Sequence, residues 1–258
     1  MDADSFHRLA KALVDSGEAT SISEALSTFA RYGVRIRLGK ELARDHGAQI
    51  IALTAINAAA RSFQGNVVVD GDDVELSARG FEGQRLFQFL EWAGVTKAPP
   101  QEAGSWPTIA IGTASAAPGT IHAWSNGWAF GLGEPRAGEA MFAPACVAAG
   151  GLAVSEAFSL LRGDNPYSGR RHIVMSLWDP LQTGARSATL ETPAQDDIWL
   201  IGLGHLGQAY AWTLGFMHPG ESRVFLQDVD SITKSSVALL LVDLALIASS
   251  VGADVVTI

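Results

Sequence analysis

Ile198-Trp-Leu-Ile-Gly202-Leu-Gly204-His-Leu-Gly207 is the stretch that decides the fold. Its first four residues are all apolar, as in a strand buried on both faces. Three glycines at GxGxxG spacing follow, and Gly204 to Phe216 then reads as a helix. Each glycine has a physical reason. The first permits a tight turn, the second lets a phosphate approach the backbone, and the third lets the helix pack close to the sheet. Amides at the helix start, helped by its dipole, face the anion. A second strand is expected over Arg223 to Asp228, with Asp228 standing 21 residues after Gly207 (228 − 207). A carboxylate there is placed to accept a ribose hydroxyl. A helix over Ser235 to Ser250 and a strand over Ala253 to Ile258 would complete β-α-β-α-β, one mononucleotide-binding half of a doubly wound sheet.

The residues that follow the second strand narrow the choice of nucleotide. Asp228-Val-Asp230-Ser-Ile232-Thr-Lys-Ser235-Ser236 resembles the ThiF-like, ubiquitin-activating superfamily, whose glycine turn precedes a strand ending D-x-D-x-V-x-x-S-N-x-x-R-Q. Gly202, Gly204, Gly207, Asp228, Asp230 and Ser235 fall on that pattern, and Ile232 replaces its Val. The resemblance implies ATP with Mg as cofactor, Asp228 on the ribose and Asp230 supporting the site. It also implies a small ubiquitin-like or sulfur-carrier protein as partner, whose C-terminal carboxylate would be adenylated. The chain departs from the pattern at His205 (the second Gly of the family's GG pair), Ser236 (Asn), Leu239 (Arg) and Leu240 (Gln). These departures make a catalytically reduced relative part of the expectation. Two alternatives stay open. One is an NAD(P)-dependent oxidoreductase, which uses the same glycine turn for a dinucleotide. The other is a non-catalytic interaction protein that has kept a Rossmann-like fold.

An earlier part of the chain echoes this one. Helix 48–63, strand 66–70 and Asp70-Gly-Asp72 parallel helix 204–216, strand 223–228 and Asp228-Val-Asp230, with the second triplet 158 residues after the first (228 − 70). The early copy lacks the glycine fingerprint and offers only His46-Gly47-Ala48 where a phosphate turn is expected. The expected architecture is therefore α/β and Rossmann-like. It comprises a helical N-terminal region (1–45), a degenerate half (46–190) and a nucleotide-binding half (195–258). Within the first 45 residues, helices are expected around Leu9, after the Ser21-Ile-Ser-Glu24 capping box with a stripe of Ile22, Leu26 and Phe29, and over Leu38 to Arg44. Further helices are expected over Gly83 to Trp92 and through the small-residue segment Met141 to Leu161. Strands are expected at Thr108–Ile111, Ile121–Phe130 (turning at Asn126-Gly127) and His172–Leu177.

Composition excludes other classes. Of 258 residues, 48% are hydrophobic and 17% charged, which suits a packed core. A net charge of −9 argues against binding nucleic acid, which needs surplus Lys and Arg. A single cysteine and six scattered histidines leave no metal-ligand spacing, so no metal-binding residues are assigned. With no signal-like N-terminus and no long apolar run, the expected location is cytoplasmic, with no membrane partner. An uncovered sheet edge at 253–258 would favour a homodimer. Cys146, among small residues, is expected to be a buried, inert thiol. Trp124 and Trp128 are expected in a hairpin core, and Arg170-Arg171-His172 as a solvated basic cluster.

Overall fold

A computed structural model describes residues 7–63, 65–95, 105–112, 119–134, 141–180, 197–217 and 223–228. The chain divides into two compact units. One comprises residues 33–194 with 216–218, and the other residues 1–32, 195–215 and 219–258.

The larger unit is built on a six-stranded mixed sheet in the order β2-β1-β3-β4-β5-β6. Its strands are β1 (Val34–Leu38), β2 (Val67–Asp70), β3 (Thr108–Ile111), β4 (Ile121–Asn126), β5 (Ala129–Leu132) and β6 (Ile173–Ser176). The first four run parallel, and β5 and β6 are antiparallel to their neighbours. β1 corrects the sequence reading. Val34-Arg-Ile-Arg-Leu38 alternates with period two, burying Val34 and Ile36 while Arg35 and Arg37 stay part-exposed. The helix expected over Leu38 to Arg44 is thus the end of a strand followed by a short 3-10 turn, Lys40–Ala43. Arginines at alternate positions had hidden a strand that lies beside the switch in strand order.

Helix α3 (His46–Ser62) is buried on nearly every side, as its apolar periphery requires. Asp45 caps it, accepting a hydrogen bond from the Ala48 amide at 2.9 Å. His46 to Ala48 therefore form the helix's first turn, and the connection from strand to helix is Gly39 to Asp45. Helix α5 (Ala143–Arg162) packs against α3, β4 and β5. Its small residues make that approach possible. A Cβ on Gly150 would lie 2.7 Å from the Ile51 carbonyl oxygen, so the two backbones meet where a side chain is missing. By length and composition α5 could also cross a membrane, although here it is a packed helix of this unit. It ends at Gly163, whose φ of 69° is the left-handed cap that glycine favours.

Helix α4 (Leu86–Trp92) starts three residues later than the sequence suggests. Residues Val74 to Leu86 pair with one another first: Leu76 N–H donates to Gln84 O and Leu86 N–H to Val74 O. Strands β4 and β5 form the expected hairpin, turning at Gly127 with φ 56°.

In the other unit, α1 (His7–Asp15) and α2 (Ile22–Phe29) are the expected N-terminal helices. Ser21 caps α2 by accepting from the Glu24 amide at 3.2 Å. The reciprocal half of the capping box is displaced by one residue, since Glu24 accepts from Thr20 N–H (2.8 Å) rather than Ser21 N–H. The buried stripe is carried by Ala25 and Phe29, while Ile22 is 39% exposed. The same unit holds β7 (Ile198–Ile201), α6 (His205–Phe216) as far as Gly215, and β8 (Val224–Gln227), with β7 and β8 parallel and paired from Ile198–Val224 to Ile201–Gln227. Asp197 and Arg223 tie the two strand starts together at 2.6 Å. The elements expected over 235–250 and 253–258 lie outside the described residues.

Candidate glycine-turn site

The three glycines after β7 behave as three different residues. Gly202 has φ 89°, a backbone that non-glycine residues rarely adopt, and its N–H donates to Gln227 O at 2.8 Å. Gly207 is buried, and a Cβ there would lie 2.8 Å from the Gly202 carbonyl carbon and closer still to its oxygen. The start of α6 is therefore pressed against the turn. Gly204 is the opposite case, exposed and with no atom within 4 Å of where its Cβ would stand. Tight turn, open approach and close helix packing fall on the first, second and third glycine, the order that the GxGxxG spacing implies.

Asp228 follows β8 directly. Its Oδ2 accepts a hydrogen bond from Leu203 N–H at 2.5 Å, so the carboxylate braces the glycine turn across the sheet. Sequence reasoning expected Asp228 at a ribose and did not foresee this bond, since a contact over 25 residues leaves no local pattern. Gln208 adds another brace, donating from Nε2 to Leu203 O at 2.9 Å. The structure thus brings Gly202, Gly204, Gly207 and Asp228 together at one end of β7 and β8. His205 begins α6. Asp230, Lys234, Ser235, Ser236, Leu239 and Leu240 lie outside the described residues.

The other residues singled out by sequence fall in the larger unit. Cys146 is fully buried in α5, with its Sγ 3.1 Å from Ser125 Oγ. Burial pushes its thiol up to about 11, against the weaker opposing effect of the Ser125 hydrogen bond, so the expectation of an inert thiol holds. Of the basic cluster, Arg171 is not simply solvated. Its Nε and Nη2 hold the two carboxylate oxygens of Glu156 at 2.9 and 2.8 Å, and Gly169 N–H adds a third bond at 3.0 Å. Burial opposes ionisation of Glu156, but the Arg171 and Gly169 hydrogen bonds and the Arg171 charge outweigh it and hold the carboxyl below its ordinary range. This pair, with His122, His172 and Arg170, lines a pocket of about 360 Å³ at one end of β4, β5 and β6. Trp128 packs against Phe142, with ring centroids 4.1 Å apart and the ring planes tilted by 50°. Among the described residues, no three His, Cys, Asp or Glu side chains cluster as metal ligands.

Two family matches divide the chain. Residues 33–177 match the BilD N-terminal domain, and residues 194–248 match the BilD C-terminal domain. The chain is also 32% identical over 259 residues to the bacterial E1-like protein BilD of Collimonas sp. (strain OK412), an alignment covering 92% of this chain and 54% of that protein. It therefore spans about half the length of the curated relative it matches. The glycine turn and Asp228 fall inside the second matched domain, and the six-stranded sheet inside the first. With more than half of its residues matching one domain of the family and a further segment matching the other, the chain belongs to the BilD family.

Proposed function

We propose that this chain contributes the nucleotide-binding part of a ThiF-like, E1-like adenylating protein. Its cofactor would be ATP with Mg, and its substrate the C-terminal carboxylate of a ubiquitin-like or sulfur-carrier protein. The observation that carries the reading is the graded glycine turn: left-handed at Gly202, open at Gly204, closed at Gly207, and braced by Asp228. The open backbone at Gly204 fits a phosphate, which needs close approach to main-chain amides. Gly202 to Gly207 would hold the phosphates, and the Asp228 carboxylate would accept a ribose hydroxyl. Asp230 would support the site from the adjoining residues. When bound, ATP supplies an electrophilic α-phosphate to which a carboxylate adds, with release of pyrophosphate. The chain's own residues fix the phosphates and ribose so that this phosphorus is presented in one orientation. The similarity to a bacterial E1-like protein supports the adenylation reading over the NAD(P) one.

Calorimetry with ATP–Mg and with NAD(P) on wild type, Gly204→Val and Asp228→Ala tests the proposal. ATP is expected to bind wild type and to lose affinity in both variants. Binding of NAD(P) with no response to ATP would overturn it.

A further inference from the structure

The six-stranded sheet has its own topological switch. From β1 the chain crosses to β2 on one side, then returns to β3 on the other. In doubly wound sheets, ligands bind outside the carboxyl ends of the strands at such a point. Both strands end here in glycine. Gly39 follows β1 and Gly112, with φ 74°, follows β3, and Gly39 N–H donates to Ile111 O at 2.9 Å. The space that these glycines leave is filled by the side chain of Glu41. A Cβ on Gly39 would lie 2.7 Å from the Glu41 carboxyl carbon, and one on Gly112 would lie 2.8 Å from it. Two missing side chains thus frame one carboxylate.

The acid at the end of the second strand is engaged as well. Asp70 follows the same β-α-β order as Asp228, but its Oδ2 lies 3.4 Å from Arg35 Nη1 and 3.7 Å from Arg37 Nε. Both arginines come from β1, opposite β2 in register. The contrast with the glycine turn is direct: there the space before Gly204 is open.

We propose that the crevice between β1 and β3 is an anion site of phosphoryl size, occupied by the chain's own Glu41 carboxylate. A carboxylate and a phosphoryl group are both compact anions that present acceptor oxygens. Glu41 therefore stands where a nucleotide's phosphate would lie, and nucleotide binding is confined to the turn at Gly202 to Gly207. The last clause rests on the function proposed above, whereas the occupation of the crevice does not.

The test follows backbone amide resonances in the full chain during titration with ATP–Mg and with pyrophosphate. In wild type, the amides of Gly39 and Gly112 are expected to stay still at about 10 mM ligand, a concentration that detects even millimolar binding. In Glu41→Ala those two amides are expected to shift with pyrophosphate, while unchanged resonances of Val67 to Asp70 report an intact sheet. Glu41→Ser is the second opening variant should the alanine form fail to fold. Ligand-induced shifts at Gly39 and Gly112 in wild type would overturn the proposal, and so would silence in a folded opening variant. The glycine turn is read separately in the same spectra. Silence at Gly202 to Gly207 in wild type would count against the proposed function, while the occupation of the crevice by Glu41 is decided by the Gly39 and Gly112 amides alone.

Discussion

Replacing the three turn glycines one at a time by alanine separates folding from ligand approach. At Gly207, the new Cβ would sit 2.8 Å from the Gly202 carbonyl carbon, where two carbons need roughly 3.7 Å. Helix α6 and the turn must therefore part by at least about 1 Å (3.7 − 2.8), since the oxygen lies closer still, an overpacking strain of roughly 1–3 kcal/mol or more. At Gly202, the φ of 89° places alanine in a region that costs about 1–2 kcal/mol. At Gly204 nothing lies within 4 Å of the added carbon, so the expected change in stability is within about 1 kcal/mol. Hydrogen exchange at the β7 and β8 amides reads these costs locally, including the Gly202 N–H bonded to Gln227 O. Calorimetry with ATP–Mg then reads the site. Gly207→Ala and Gly202→Ala should lose protection and affinity together. Gly204→Ala should keep its protection yet bind about tenfold more weakly, because a methyl group now stands in the phosphate's path, an effect of about 1.4 kcal/mol. Equal loss of protection at Gly204 and Gly207, or a neutral Gly207→Ala, would refute the assignment of roles.

Other expectations concern the larger unit. Arg171→Ala takes two of three hydrogen bonds from the buried Glu156 carboxylate and leaves the Gly169 amide, and should cost about 2–3 kcal/mol in denaturant unfolding, the partial exposure of the guanidinium keeping the loss below that of a fully buried pair. Because the folded Glu156 pKa lies below its ordinary 4.5, its contribution is full above that pH. It is lost as pH falls through the folded value, and Glu156→Gln should remove this acid dependence in unfolding curves. His122 acts with the same sign. Burial holds its imidazole below 6.5, so the unfolded chain takes up the proton first and stability falls as pH drops below that point. His122→Gln should flatten the curve there. Gly150→Val should separate α3 from α5 and lower the melting temperature by several degrees, since its Cβ would meet the Ile51 carbonyl oxygen at 2.7 Å. Cys146 should resist alkylation near pH 8 in the folded chain and react on unfolding, because burial keeps its thiol protonated at about that pH.

What the sequence disclosed follows the range over which each signal acts. The glycine turn could be read because each glycine answers a constraint within a few residues: a positive φ at Gly202, or a helix start pressed on its own turn at Gly207. The β4–β5 hairpin was legible for the same reason, through Asn126-Gly127, whereas the start of α3 was placed two residues late because the Asp45 cap went unread. Strand β1 was not legible, because five residues with arginine at two of them resemble one face of a helix as readily as an alternating strand. Its place is settled by partners far away in sequence, β2 on one side and β3 on the other. The Leu203–Asp228 bond and the Glu156–Arg171 pair are long-range in the same way.

The two β-α-β units use the space beyond their strands differently. A fingerprint is needed where a ligand must reach main-chain amides, and the spacing of its glycines records the shape of that ligand. In the larger unit, the glycines at the switch, Gly39 and Gly112, sit 73 residues apart (112 − 39), one after each of the two strands, and make room for a side chain of the chain itself. A carboxylate supplied from Glu41 has no need of an amide-lined turn, because it is held covalently and arrives with folding. Asp70, at the end of β2, is likewise paired within the chain, with Arg35 and Arg37. On the reading proposed above, the missing glycine run and the occupied crevice go together. Asp228, whose carboxylate is joined to the open glycine turn itself through Leu203 N–H, is then the acid on which nucleotide recognition should depend.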